Sequence, residues 1–419
     1  MKTAARRRPM LGHLNKIGGE GMGNGTDLRT HGHPPRGTRP ANRRQLILGA
    51  AATLFCRNGY ANVGVGEVAD AVAIGPSALY RHFHGKQDLL AAVVSDALNT
   101  LNDALTEATA DDLATRLAAA ALADRDVGVL VRRESRHLSA DHRRLINASI
   151  SGIGSRTAEL ISARRPDLGT AEADLLAWCT LAATSSVSFH SLSLPEPEFA
   201  TLLAELITTV VDSPIALTEQ NPEAAADRGS MVPRSRREAI LTEATRLFAR
   251  NGFANVSMEE IGSGVGIAGP SVYNHFSVKS DVLSAAMFRG DAWLRIDMNR
   301  AFARSADPRD CLHRLLGSYQ EFVFDNAGLV QLLVSESMYL PDADRHRARA
   351  AQHEYVAEWV HLVNTVHPDW DSVSARIRVQ AAQTMMNDIA LMPPLRARPG
   401  VDTALLTIGA RLLEIGDAN

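Results

Sequence analysis

Apolar residues in this chain recur every three or four positions and almost nowhere in strict alternation. Ile47, Ala51, Leu54 and Phe55 mark one face of a helix, and Ile240, Ala244, Leu247 and Phe248 repeat that face later. An Asn-Gly pair follows each run, Asn58-Gly59 and Asn251-Gly252, and glycine supplies the left-handed conformation that ends a helix. A second helix is expected over 65–72 and again over 258–265. Ser257 with Glu260 makes a capping box for the later one. Gly64 stands at the earlier cap, weaker by about a few tenths of a kcal/mol. A third helix is expected from Ser77 to Phe83 and from Ser271 to Phe276. Pro76 or Pro270 lies near its start, where a missing N–H is harmless. Two short helices joined by about four residues form a helix-turn-helix unit, whose second helix suits a DNA major groove.

The recurrence is a duplication. Arg43–Val93 aligns with Arg236–Ala286 without a gap at an offset of 193, with 23 of 51 positions identical. Solenoid units repeat every ~20–50 residues, so the duplicated piece is a domain. Fainter similarity continues. Glu134-Ser135-Arg136-His137-Leu138 answers Glu336-Ser337-Met338-Tyr339-Leu340 at an offset of 202, and Pro166-Asp167 answers Pro368-Asp369. The change of offset predicts nine extra residues between 287 and 330, in a second copy of a whole module. Helices are expected over 171–190 and 371–391, then Pro-containing loops (Pro195, Pro197; Pro393, Pro394), then helices over 198–211 and 402–415.

Length predicts two to three domains. With no alternating strand runs, the fold class is all-α. The net charge of −3 gives no basic signature for the whole chain, but residues 1–44 carry +8 and the remainder −11. That Gly/Pro/Arg-rich segment has no apolar period and no signal-peptide core, so it reads as disordered. Two readings stay open for it: a solvated tail, with Met10 or Met22 as alternative starts, or a basic arm that tracks phosphates. The first repeated head holds five Lys/Arg against three acids, the second five against five. The first should dominate attraction to DNA. Gly262 and Gly264 fall inside the second head's short helix, at a cost of about 1 kcal/mol each against Ala, and predict a locally weaker head. Cys56, Cys179 and Cys311 are far apart, which fits a reducing cytoplasm and no metal site. Leu175–Leu194 lacks Asp, Glu, Lys and Arg, but its Ser/Thr content makes it a poor membrane span. No G-x-S-x-G, Walker loop or H-E-x-x-H is present, so neither an enzyme nor a cofactor is expected.

The string F-x-x-x-G-[YF], then E-[VI], then Y-x-H-F and K-x-D-[LV], present in both copies, resembles the N-terminal DNA-binding domain of TetR-type regulators. Gly64, Ala73, Gly75 and Ala268 depart from that family's usual Thr/Ser, Gly and Ser. The resemblance implies DNA contacts from Ser77, Tyr80, Arg81, His82 and Lys86 in the first head. In the second it implies Ser257, Ser271, Tyr273, Asn274, His275 and Lys279. Lys86 and Lys279 each open a helix, where a bound phosphate would offset the unfavourable dipole. Arg forks onto guanine and Asn onto adenine, so Arg81 against Asn274 would give unlike half-sites. The two closing helices of each module are implied to form a four-helix bundle, and the intervening helices an effector pocket. Candidate lining residues are Glu134, His137, Trp178 and His190, then Tyr319, Met338, Tyr339, Trp359, Met385 and Met386; ordinary core packing is the alternative for each.

The expected organisation is a disordered basic tail (1–40), a first head (41–88) with its helical effector domain (89–212), a linker (213–233), and a second head (234–281) with its effector domain (282–417). Two modules related by a pseudo-two-fold axis would let one chain act as its own dimer, with a homodimer as the other arrangement. The expected partners are double-stranded DNA and a small-molecule effector, with no membrane. The function implied is a cytoplasmic repressor released by its effector. The alternative is a regulator in which only the first head, or neither, binds DNA.

Overall fold

The computed structural model describes residues 42–217 and 235–416. The expected basic tail and most of the expected linker lie outside the described residues. Every regular element among the described residues is helical. The first head consists of α1 (Arg43–Asn58), α2 (Val65–Ala71) and α3 (Pro76–Leu79). The first body follows: α4 (Lys86–Glu107), α5 (Leu113–Ala123), α6 (Val127–Val129), α7 (Ala140–Arg164), α8 (Thr170–Ser185) and α9 (Glu198–Val211). A π-helical turn, Leu130–Glu134, continues α6.

The second head repeats the first as α10 (Arg236–Asn251), α11 (Met258–Gly264) and α12 (Gly269–Val272). Its body is α13 (Lys279–Arg304), α14 (Pro308–Asp325), α15 (Ala327–Ser335), α16 (Asp342–Val366), α17 (Ser372–Ala390), α18 (Pro393–Arg396) and α19 (Val401–Leu412). The extra length of the second module falls in α13 and α14, of 26 and 18 residues against 22 and 11 in α4 and α5. No described helix is long and apolar enough to cross a membrane.

The third helix of each head is shorter than the periodicity predicts. Regular helix ends at Leu79 and Val272, and the chain continues as turns in which Phe83 N–H still bonds Leu79 O (3.1 Å) and Phe276 N–H bonds Val272 O (3.1 Å). Those turns drop Phe83 and Phe276 into the head cores. The Ser257–Glu260 capping box forms, with Glu260 N–H donating to Ser257 Oγ at 3.1 Å. Gly64 has no side chain to reciprocate, so only Glu67 reaches back to its N–H. Gly262 is more than a weak helix former. A Cβ there would sit 3.0 Å from Ile267 O and 3.2 Å from Gly269 Cα, so its absence lets α11 approach α12.

The two bodies pack on each other through equivalent helices. α8 lies against α17 and α9 against α19. Ala182 and Ala183 of α8 and Ala381 and Ala382 of α17 are all buried in the shared core. Arg398 ties the seam, with Nη2 on Asp174 at 2.6 Å and Nη1 donating to Ala171 O at 3.2 Å. Contact between like elements is what a two-fold relation requires. One apolar core runs from the first head through both bodies, whereas the second head keeps a separate cluster around Ile240, Phe248 and Leu283.

Candidate nucleic-acid interface and effector cavity

On the first head, Ser77, Tyr80, Arg81 and His82 are exposed, Tyr80 at 52%. On the second, Tyr273 (49%), Asn274 and His275 are exposed and Ser271 is half-buried. Ser77 and Ser271 stand within α3 and α12, and the others emerge from the turns that follow, which Phe83 and Phe276 anchor from beneath. Arg44 and Arg237 lie over those two phenyl rings at 5.3 and 4.9 Å. Exposed hydroxyl, imidazole, guanidinium and amide groups on a rigid turn can bond phosphates and base edges.

Ser257 and the two lysines are placed differently from this set. The Ser257 hydroxyl oxygen serves the capping box. The Lys279 ammonium donates to Phe253 O (2.7 Å) and Val256 O (2.8 Å) and lies 4.4 Å from the Phe253 ring centre. Lys86 lies 4.1 Å from the Tyr60 ring centre and 3.5 Å from Ala61 O. Burial draws both ammonium groups below their usual range. Each lysine therefore closes the loop after the first helix onto the start of the long helix, and carbonyls and a ring face absorb its charge. Sequence reasoning from the helix dipole alone did not see these internal acceptors.

Four of the ten expected effector residues, Glu134, His137, Met338 and Tyr339, belong to the junction between head and body. Glu134, 1% exposed, accepts the Tyr60 N–H at 2.9 Å and pairs with Arg133. Glu336 accepts the Phe253 N–H at 3.3 Å. His137 stacks on Tyr60 (5.3 Å) and Tyr339 on Phe253 (5.2 Å). Met338 crosses the seam to the first head, and its methyl would lie 2.1 Å from a Cβ at Gly59. Reciprocally, Arg136 pairs with Glu336 and reaches the second head at Gly252. The repeated Glu-Ser-x-x-Leu segment thus couples bodies to heads through these side chains, while its Ser135 lines the cavity of the first body.

His190 is also structural. Its Nδ1 accepts from Leu192 N–H (3.2 Å) and faces Arg125 Nη2 (3.2 Å). Burial, then Arg125 and Arg376, pushes its imidazole down to about 3. In the second module Tyr319 and Trp359 join Tyr355 in a buried aromatic cluster with ring centres 6.0–6.3 Å apart, and Met385 and Met386 are core. Ile153 and Thr157 stand at the places of Tyr355 and Trp359, at the offset of 202. Smaller side chains there go with a space in the first module.

That space is a cavity of about 450 Å³. Trp178 is the one expected residue in its wall, seated over Gly154, where a Cβ would come within 2.6 Å of the indole. Leu98, Leu101, Ile150, Ile153 and Leu181 supply apolar surface. Gln331 and Asp388 enter from the second module, and Arg132 from the π-helical turn pairs with Asp388. Sequence reasoning missed Arg132 and Asp388. No local signal marked them: Arg132 stands in the mixed run Leu130-Val131-Arg132-Arg133-Glu134, and Asp388 follows Asn387. Among the described residues no group of three or more His, Cys, Asp or Glu could hold a metal.

Residues 47–93 and 240–286 each match the family model described as bacterial regulatory proteins, tetR family. The transcriptional activator FasR of Mycolicibacterium smegmatis is 28% identical over 106 residues, covering 25% of this chain and 48% of that protein. The transcriptional repressor KstR2 of the same species is 35% identical over 68 residues, covering 16% and 33%. The chain thus spans less than half the length of these relatives. Among solved structures, a TetR-family regulator from Bordetella parapertussis overlays with a TM-score of 0.40 at 18% identity, over 43% of this chain and 95% of that one. PfmR from Thermus thermophilus gives 0.38 at 18%, over 43% and 97%. Two matches to one family model, 193 residues apart and each opening a helical body, give this chain two tandem domains similar to those of the bacterial regulatory proteins of the tetR family.

Proposed function

We propose that this protein regulates transcription by presenting two unlike DNA-reading heads from a single polypeptide. The observation that carries this reading is the seam, where α8 meets α17 and α9 meets α19 within one chain. A two-headed reader otherwise needs two subunits to make such a contact. Tyr80, Arg81 and His82 then serve one half-site and Tyr273, Asn274 and His275 the other, with Ser77, Ser271 and Ser257 beside them. Arg81 and Asn274 make the operator asymmetric, guanine-bearing on one side and adenine-bearing on the other. Lys86 and Lys279 support the loops that face the backbone. A small molecule in the first body's cavity shifts the population between head arrangements, by no more than its difference in affinity for them. Repression in the absence of that molecule is the outcome the reading favours.

A second reading, in which the first head alone binds DNA, is favoured by charge, since the second head balances five basic residues with five acids. Selection of bound sequences from random DNA, with the protein-to-DNA ratio measured on the winners, separates the two. One chain protecting two dissimilar half-sites supports the two-headed reader. Palindromic winners that require two chains, or no enrichment in low salt, would sink it.

A further inference from the structure

Three charged residues line the cavity: Arg132, Asp388 and Asp124. Asp124 sits half-buried at the end of α5 and accepts the Asp126 N–H at 3.1 Å. Arg132 and Asp388 pair with each other across the seam, with side chains only 14% and 8% exposed. The rest of the lining is apolar or neutral. Arg132 stands in the π-helical turn, and such turns recur at functional sites of helical proteins. At the same place the second module has the regular helix α15.

The two partners differ in what they tolerate when separated. Burial pushes the Arg132 guanidinium down to about 9, which leaves it protonated at neutral pH. A buried carboxylate that loses its partner takes up a proton and becomes neutral. A guanidinium has no such escape, and a stranded buried cation is costly. A ligand that competes for Arg132 therefore strands a group able to neutralise itself. A ligand that competes for Asp388 strands one that is not.

We propose that the cavity takes an amphipathic carboxylate, with an apolar body of about ten carbons in a space of this class, whose head group displaces Asp388 from Arg132. The tail lies along Leu98, Ile150, Ile153 and Trp178. Each chain takes one molecule, because the second body fills its interior with Tyr319, Tyr355 and Trp359. Arg132 belongs to one body and Asp388 to the other, so the exchange releases a tie between them. Its effect on DNA rests on the two-headed reading; the binding itself does not.

Calorimetric titration of the full chain without DNA tests this, using decanoate, 1-decanol and decylamine in buffers of different ionisation enthalpy near pH 7. Decanoate should bind one per chain, with net uptake of about one proton as Asp388 is released. The alcohol and the amine should bind about tenfold more weakly or worse, and Arg132→Met should weaken decanoate by a similar factor. Asp388→Asn should tighten decanoate and abolish the proton uptake. If that variant is unstable, decanoate should restore its thermal midpoint, and failure to do so counts against the proposal. No decanoate binding, equal binding of decanol, two molecules per chain, or indifference to Arg132→Met overturns it. A gel-shift assay run separately keeps the outcomes apart: decanoate bound without DNA affinity condemns the two-headed reading alone, and the reverse condemns the ligand assignment alone.

Discussion

The Glu134 carboxylate accepts the backbone N–H of Tyr60 at 2.9 Å, although 74 residues of chain separate them. The bond joins the π-helical turn of the first body to the loop that ends α1. Glu336 and Phe253 repeat it in the second module, longer at 3.3 Å. Because Glu134 is nearly inaccessible to water, its partners cannot be replaced by solvent. Glu134→Ala should cost roughly 1–3 kcal/mol, the range for orphaning a buried partner. Glu134→Gln, which keeps an acceptor for Tyr60 but loses the charge beside Arg133, should cost less. Chemical denaturation gives the cost, and hydrogen exchange at Tyr60 gives the mechanism: faster exchange in Ala than in Gln. Equal exchange in both variants would remove Glu134 as the link.

Ala73 holds φ of 54°, in the left-handed region, where Gly266 holds 69° in the second head. A side chain there costs about 1–2 kcal/mol. Ala73→Gly should therefore stabilise the first head by about 1 kcal/mol, after the glycine's own entropy is set against the relief. Gly266→Ala should do the opposite by a comparable amount. Denaturation midpoints check both, and a destabilised Ala73→Gly would mean that the backbone strain is not what it seems from the dihedral.

The reciprocal crossing of Met338 to Gly59 and Arg136 to Gly252 gives a third expectation. Both glycines have positive φ, 76° and 79°, so alanine strains either one. Only at Gly59 does the new Cβ also meet a packed side chain, that of Met338; at Gly252 the nearest atom is Arg136 Nη1 at 3.8 Å. Gly59→Ala should lose more stability than Gly252→Ala by about 1 kcal/mol, the low end of overpacking costs. Met338→Ala should remove that difference when combined with Gly59→Ala and leave Gly252→Ala unaffected. A double-mutant cycle reads this coupling directly. Zero coupling between positions 59 and 338 would mean that the bodies do not grip the heads across the seam.

Much of the architecture was legible in the sequence because helical periodicity, Asn-Gly stops and the 193-residue repeat are local or self-referential signals. The helix boundaries at 198–211 and near 372–390 follow from apolar spacing and the prolines between them. The site was less legible. Helix-dipole reasoning assigned Lys86 and Lys279 outward to phosphate, but their acceptors are carbonyls of a loop 23–26 residues away. Glu134, Met338 and Tyr339 look like pocket residues because they are polar or soft within a repeated segment. Their partners lie in the heads, and sequence spacing cannot reveal a contact between segments folded together from afar. Arg132 and Asp388 are the sharpest case: the pair exists only because two modules meet, and neither residue alone signals it.

His190 offers the last expectation, with a definite sign. Its imidazole is held neutral in the fold, at about 3, against about 6.5 in an unfolded chain. Between those values the unfolded state binds a proton that the folded state refuses, so stability falls as pH drops through that window. Above pH ~6.5 neither state is protonated there and the contribution is flat. Each pH unit below ~6.5 costs up to about 1.4 kcal/mol from this residue alone. His190→Asn can keep an acceptor for Leu192 N–H and Arg125 while removing the titration. The variant should be less stable than the parent at pH 7.5 or equal to it, and should lose less stability on going to pH 5. His137, also drawn below its usual range by burial and then by Arg136, titrates in both proteins and cancels from the comparison. Denaturation midpoints at four or five pH values decide it. Parallel pH profiles for parent and variant would show that His190 titrates freely, and so that the loop around Arg125 opens to water.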